Sequence, residues 1–322
     1  MSASLPGIIP VDTLMTGREH VTCAYLVDGP EPLLVEAGPA SSSPAVTRSL
    51  TEAGIAPDDL AHLVLTHIHL DHAGGAGALA QAFPNATIWI HVRAARHLAD
   101  PARLVASASR IYGDEGVRTL FGLPAPVETA RIRSLEGGDT ITFAGRSLEA
   151  LATPGHASSH LAFQDSDSGI VFTGDAVGVH LPGVDVIRPA APPPEFDIDQ
   201  AIASIGVIAD RARGTLLFAH FGPVSDVEGT CAQAVETLRR WSDAARDGIR
   251  SGLGEEDIEA ALTAIAREQE EALAEGDRER FEIIGSVRMN TLGLSRYWRE
   301  RTGTERKDTH GGGEAAASGQ DS

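Results

Sequence analysis

Residues Thr66 to Gly75 read THIHLDHAGG and follow directly on the apolar run Leu63-Val64-Leu65. Three histidines and an aspartate fall within the six positions 67–72. A solvated loop has no need of so much imidazole and carboxylate, and a core cannot bury it unpaired without a cost of several kcal/mol. Metal binding explains the crowding. On an extended segment leaving a strand, residues two apart point the same way, so His67 and His69 can grip one ion. Asp71 and His72 lie just beyond, where the chain must turn, and Gly74 and Gly75 are predicted to let the backbone bend into a helix. All four on one ion would make a closed structural site, whereas two half-sites of two ligands each leave room for water.

Further ligands are sought at other strand ends. His156 follows a strand and a Pro-Gly turn in TPGHASSH, Asp175 lies in FTGDAVG, and His220 ends the apolar run of LLFAHFGP. Each is flanked by Gly or Pro at a strand exit, where a rigid scaffold holds functional loops. His160 and His180 follow His156 and Asp175 by four and five residues and could contact the ligands. His62, His91, His97 and His310 read as structural or incidental, and Tyr112 as a packing residue. The loop of 181–197, with Arg188, Pro192–Pro194 and Phe196, is rigid, irregular and placed to wall a substrate pocket.

β-Like runs at 20–27, 32–38, 61–65 and 86–91 alternate with helical patterns near 44–54 and 75–83. A second set of strands is predicted at 140–145, 147–155, 160–165, 169–175 and 215–220, with a helix near 197–210. From 225 onward three amphipathic helices are expected, then a Gly/Ala/Ser-rich disordered tail. The expected organisation is a catalytic domain over 1–224, a helical region over 225–302 and a tail over 303–322.

The chain has 322 residues, 42% hydrophobic and 22% charged, ordinary values for a globular protein with one large core. Its net charge of −19 repels phosphate backbones, which sets nucleic acid aside as a partner. Two distant cysteines, Cys23 and Cys231, exclude a disulfide framework and suit a reducing cytoplasm. The first residues have no basic segment followed by an apolar one, and no apolar run approaches the ~20 residues of a membrane helix.

Taken together, THIHLDHAGG, TPGH, TGDA and AHFG resemble the HxHxDH-to-His signature of the metallo-β-lactamase-fold hydrolases, over residues 8–224. TPGHAS, PPPEFD and the helical C-terminus resemble a glyoxalase II-like prokaryotic group of unknown substrate. The resemblance implies an α/β four-layer αβ/βα sandwich with a helical C-terminal extension. It implies that His67, His69 and His156 hold one divalent ion, that Asp71, His72 and His220 hold a second, and that Asp175 bridges them. Zinc is the first expectation, and iron and manganese suit the same donors. In such a site a hydroxide between the ions attacks a small ester, thioester or lactone, and Asp71 orients the nucleophile and takes its proton. The strand before the first helix ends in VEAG, where the family has Asp-x-Gly, so Glu36 must do that work with a longer arm. The later cysteine of the antibiotic-resistance zinc β-lactamases does not occur and no secretion signal is evident, so β-lactam cleavage is not the expected activity. Alternative activities are a mononuclear iron persulfide dioxygenase and a phosphodiesterase on a small nucleotide. The expected partner is a small-molecule substrate, and the C-terminal helices allow a homodimer.

Overall fold

The computed structural model describes Leu5 and residues 7–303; the tail expected over 303–322 lies, from 304 onward, outside the described residues, as does His310. The first sheet consists of β1 (Ile8–Asp12), β2 (Cys23–Val27), β3 (Leu33–Val35), β4 (His62–Val64), β5 (Thr87–His91) and β6 (Ile132–Leu135), in that spatial order. β1, β2 and β3 pair antiparallel and β3 to β6 parallel. Pro10 sits in β1, an edge strand, where its missing N–H breaks no ladder.

The second sheet runs from β7 (Thr140–Phe143) through β8 (Arg146–Ala152), β9 (Leu161–Asp165), β10 (Val171–Gly174) and β11 (Leu216–Phe218) to β12 (Pro223–Val224). Only the β10–β11 pair is parallel.

Strand alternation builds the layers. Leu33, Val35, Val64, Leu148, Leu161, Phe163 and Phe172 fill the space between the sheets, while their neighbours Leu34, Leu63, Ala162 and Val171 face outward. Strands buried on both faces read as continuous apolar runs. On the first sheet, α1 (Ser43–Glu52) and α3 (Ala76–Ala82) cover the outer face. On the second, α6 (Ile198–Arg211), α7 (Val227–Arg250), α8 (Glu255–Gln269) and α10 (Val287–Thr302) share one apolar cluster with the sheet's outward residues. The result is the expected αβ/βα sandwich with a helical C-terminal region.

Several elements differ from expectation: β1, β6 and β12 are strands that the sequence patterning does not predict. The last predicted helix is two, α9 (Glu275–Ile284) and α10, broken at Gly285 because Ser286 caps α10 by accepting a bond from Met289 N at 3.2 Å. α4 (Ala95–Ala99) falls where the sequence puts His97 on a polar helical face, and α5 (Ala102–Leu120) where it predicts no element; Gly113, at φ 70°, interrupts α5 and blurs its period. Among the described residues no helix is long and apolar enough to cross a membrane.

Candidate metal centre

The ligand cluster forms at one edge of the sandwich, where ends of both sheets meet. His67 leaves β4, and His69 stands at the start of the short α2 (Leu70–Ala73), which carries Asp71 and His72. His156 follows β8, Asp175 follows β10 and His220 follows β11. Gly74 and Gly75 have ordinary right-handed helical angles, so the bend expected of them is not why they are glycine. A Cβ on Gly75 would lie 2.7 Å from Ala37 O, and one on Gly74 3.0 Å from Ala40 N; the helix presses on the segment after β3. Gly174 does need its freedom: φ is 51°, and a Cβ would lie 2.5 Å from His160 Nε2.

All seven expected residues meet there. His69 Nδ1 is 3.0 Å from His67 Nε2 and 2.8 Å from His156 Nε2, forming one three-histidine group. Asp71, His72 and His220 form another, with His72 Nε2 at 3.5 Å and His220 Nε2 at 3.7 Å from Asp71 Oδ2. Asp175 faces both groups. Its Oδ1 lies 3.3 Å from His72 Nε2 and from His220 Nε2, and its Oδ2 lies 3.4 Å from His156 Nε2.

Several of these atoms are buried without a hydrogen-bond partner: His72 Nε2, His220 Nε2 and Asp175 Oδ1. Orphaned polar atoms in a core are costly, and here all point to one spot. Donors about 2.0–2.1 Å from a tetrahedral ion stand about 3.3 Å from one another, which is the separation around Asp175. A divalent cation fits.

The opposite ring nitrogens are tied down. His156 Nδ1 donates to Ala190 O at 2.9 Å, His220 Nδ1 to Val21 O at 3.3 Å and His67 Nδ1 to Thr66 Oγ1 at 3.0 Å. His72 Nδ1 donates to Glu36 Oε1 at 3.2 Å, and Thr66 Oγ1 donates to the same oxygen at 2.5 Å. These bonds fix tautomer and ring direction, leaving Nε2 free to ligate. Glu36 thus does the work expected of it, from a left-handed backbone at φ 70° that is strained for a non-glycine residue.

Charge is arranged to match. Burial, with the neighbouring imidazoles, holds His67 well below the usual histidine range; burial and His156 push His69 down to about 4. Burial also lowers His156. Burial works against a charged His72 and His220, but Asp175 and Asp71 outweigh it and raise both. Burial likewise opposes an ionised Asp175, yet His72, His220 and His156 hold its pKa well below the usual range. One half is a set of neutral imidazoles, and the other calls for positive charge.

The unassigned residues resolve differently. His160 Nε2 accepts from Asp175 N at 3.1 Å, so its Nδ1 carries the proton toward Thr153 Oγ1 at 2.8 Å, and the ring orients Asp175. Its spacing from His156 was the only sequence signal. His180 instead donates from Nδ1 to Phe221 O at 2.9 Å.

Next to the cluster opens a cavity of about 620 Å³, lined by His69, Asp71, His156 and Asp175 on one side. Pro192–Pro194 wall it as expected, but Arg188 and Phe196 do not. Arg188 is buried against Glu270 and Glu282, and Phe196 belongs to the core outside the second sheet. Tyr112 and His97, read as packing and incidental, line the cavity; Tyr112 also packs edge-on against Phe121.

An αβ/βα sandwich bearing a histidine–aspartate cluster at one sheet edge defines the metallo-β-lactamase class of proteins. The profile of the metallo-beta-lactamase superfamily matches residues 16–220, and the chain belongs to that superfamily. It is 30% identical over 227 residues to the uncharacterized protein YobT of Bacillus subtilis, covering 68% of this chain and 91% of YobT. It is 28% identical over 153 residues to a hydroxyacylglutathione hydrolase of a Synechococcus species, covering 48% of each. Among solved structures, metallo-beta-lactamase family protein TTHA1429 of Thermus thermophilus superposes with TM-score 0.64 at 22% identity, covering 93% of this chain and 95% of that one.

Proposed function

We propose that the protein is a hydrolase dependent on two divalent ions, zinc in the first instance, that cleaves a small ester, thioester or lactone. Asp175 carries this reading. Its two oxygens are turned to two separate groups of ligands, which is what a carboxylate shared by two ions requires. His67, His69 and His156 would hold one ion and Asp71, His72 and His220 the other. When bound, such ions supply a water acidic enough to be the nucleophile near neutral pH and a Lewis acid for the substrate's carbonyl oxygen.

The chain's own residues do the rest. Asp71 is 20% exposed at its side chain against 5% for Asp175, lines the cavity and accepts no hydrogen bond from the described residues. Its carboxylate is free to take the proton of the attacking water and return it to the leaving group. The relative named a hydroxyacylglutathione hydrolase supports a thioester, and the unpaired buried cysteines suit a cytoplasmic site of action.

The test is elemental analysis of purified protein, followed by thioesters, lactones, aryl esters and bis-phosphodiesters with and without chelator. Two ions per chain and chelator-sensitive cleavage of a carbonyl substrate are expected. One iron per chain with oxygen consumption on a persulfide would overturn the proposal.

A further inference from the structure

One part of the cavity wall gathers arginines, although the lining as a whole also holds the carboxylates Asp71, Asp175, Glu195 and Glu282. In a protein of net charge −19, Arg93, Arg96 and Arg103 all line the cavity, and none lies within ion-pair distance of a carboxylate among the described residues. Some arginines elsewhere, such as Arg146, Arg211, Arg240 and Arg299, sit against Asp or Glu, and others, such as Arg131, Arg133 and Arg278, bond to backbone carbonyls. Arg93 donates to Ser158 O and Oγ at 3.3 and 3.0 Å, Arg96 Nε to His97 Nε2 at 3.2 Å, and Arg103 to no described residue. The carboxylate on this side, Glu195, is taken up by Ser158, whose N and Oγ donate to it at 2.9 and 2.6 Å. Of the other lining carboxylates, Asp71 and Asp175 belong to the candidate centre and Glu282 pairs with Arg188, so the three guanidiniums lack a carboxylate of their own among the described residues.

The adjoining wall is largely apolar and only partly covered: Leu104, Ala108, Ile283 and Ile284 pack at the margin of the buried cluster around Met15, Leu70 and Phe121. Of the 19 residues of α5, only Val117 is buried. Leu104, Ala108, Ile111 and Tyr112 recur at three- and four-residue spacing from Leu104, the residue after Arg103, and all line the cavity. Nine residues of helix put Tyr112 about 14 Å along the axis from Arg103. Ile283 and Ile284 of α9 and Met289 of α10 form the facing wall. An amphipathic helix that turns its apolar stripe into a cavity ending in arginines matches an amphiphile with a charged group.

Building on the hydrolase reading, we infer that the substrate is an anionic acyl thioester or ester: its acyl chain lies along the α5 stripe, and Arg93, Arg96 and Arg103 hold its carboxylate or phosphate. The Asp71–Asp175 side of the cavity then receives the scissile carbonyl between the two.

The test uses metal-loaded protein and matched S-octanoyl thioesters. One pair is 3-mercaptopropionate against its amide, and the other is phosphopantetheine against pantetheine; they separate carboxylate from phosphate. In at least one pair the charged member is expected to show kcat/KM on the order of tenfold to a hundredfold higher. That ratio falls toward one in Arg96→Gln/Arg103→Gln, whose exposed positions leave folding intact. Ratios near one in the unsubstituted protein, or ratios the variant does not move, would overturn the assignment. If no thioester or ester is cleaved, the hydrolase reading fails, and calorimetry with octyl phosphate and octyl glucoside still decides the pocket. Phosphate-selective binding lost in the variant supports it; binding that is absent, or equal in both proteins, ends it.

Discussion

Glu36 shows how much one side chain can be asked to do. A single carboxylate oxygen accepts from both Thr66 and His72, while its second oxygen is buried without a partner. Glu36→Ala would leave the His72 ring free to turn and is expected to weaken the second ion about tenfold to a hundredfold. Elemental analysis after dialysis should then find close to one ion per chain. Glu36→Gln, which still offers a carbonyl oxygen, should hold more, and full occupancy in the alanine variant would refute the role. Asp71→Ala addresses the chemistry, with an expected loss of on the order of 10²–10⁴ in hydrolysis. An alanine variant with both ions and unchanged turnover would remove Asp71 from the mechanism. The seven residues that gather at the candidate centre were legible in the sequence because imidazole and carboxylate at Gly- and Pro-flanked strand exits have few other uses. His160 was less so, because a histidine that orients a carboxylate through the backbone N–H of Asp175 leaves no distinctive spacing.

Elements place these residues, and the loop of residues 181–197 shows how. Its Ala190 carbonyl fixes His156, and the loop is held from behind by the C-terminal helices. Asn290 of α10 accepts from Ala191 N at 2.8 Å, and Arg188 donates to Gly285 O at 3.2 Å and pairs with Glu282 at 2.6 Å and with buried Glu270. α10 also presses close, since a Cβ on Gly293 would overlap Ala191 O. Arg188→Met removes the partner of a buried carboxylate and should cost about 3–5 kcal/mol, seen as a lower unfolding midpoint. Arg188→Met/Glu270→Leu should recover part of that loss; a double variant no more stable than the single one would show that the ion pair is not what binds loop to helices. Sequence patterning located most strands and the C-terminal helices because burial on one or both faces leaves a period. It missed α5 because that helix turns its apolar side to a cavity and is cut by Gly113, and it assigned Arg188 to the pocket because an arginine's partners, 82 and 94 residues away, cannot be read locally.

At the scale of the molecule, the candidate centre joins the two sheets. His67 and the α2 residues continue from β4 of the first, whereas His156, Asp175 and His220 leave β8, β10 and β11 of the second. Without a cation, this edge holds two imidazole nitrogens and a carboxylate oxygen buried and unpartnered. Ions that bind only the folded chain stabilise it by about 2.7 kcal/mol at a free concentration a hundredfold above Kd. For a chain of this size that corresponds to a rise of roughly 5 °C in the unfolding midpoint. Chelation should therefore lower the midpoint by several degrees, and zinc should restore it where magnesium, which prefers oxygen donors in octahedral array, does not. The same titration in Asp175→Asn should recover less, because a neutral amide cannot serve both groups as a shared anion. A midpoint indifferent to chelator and to added zinc would mean that the seven side chains converge for some purpose other than metal.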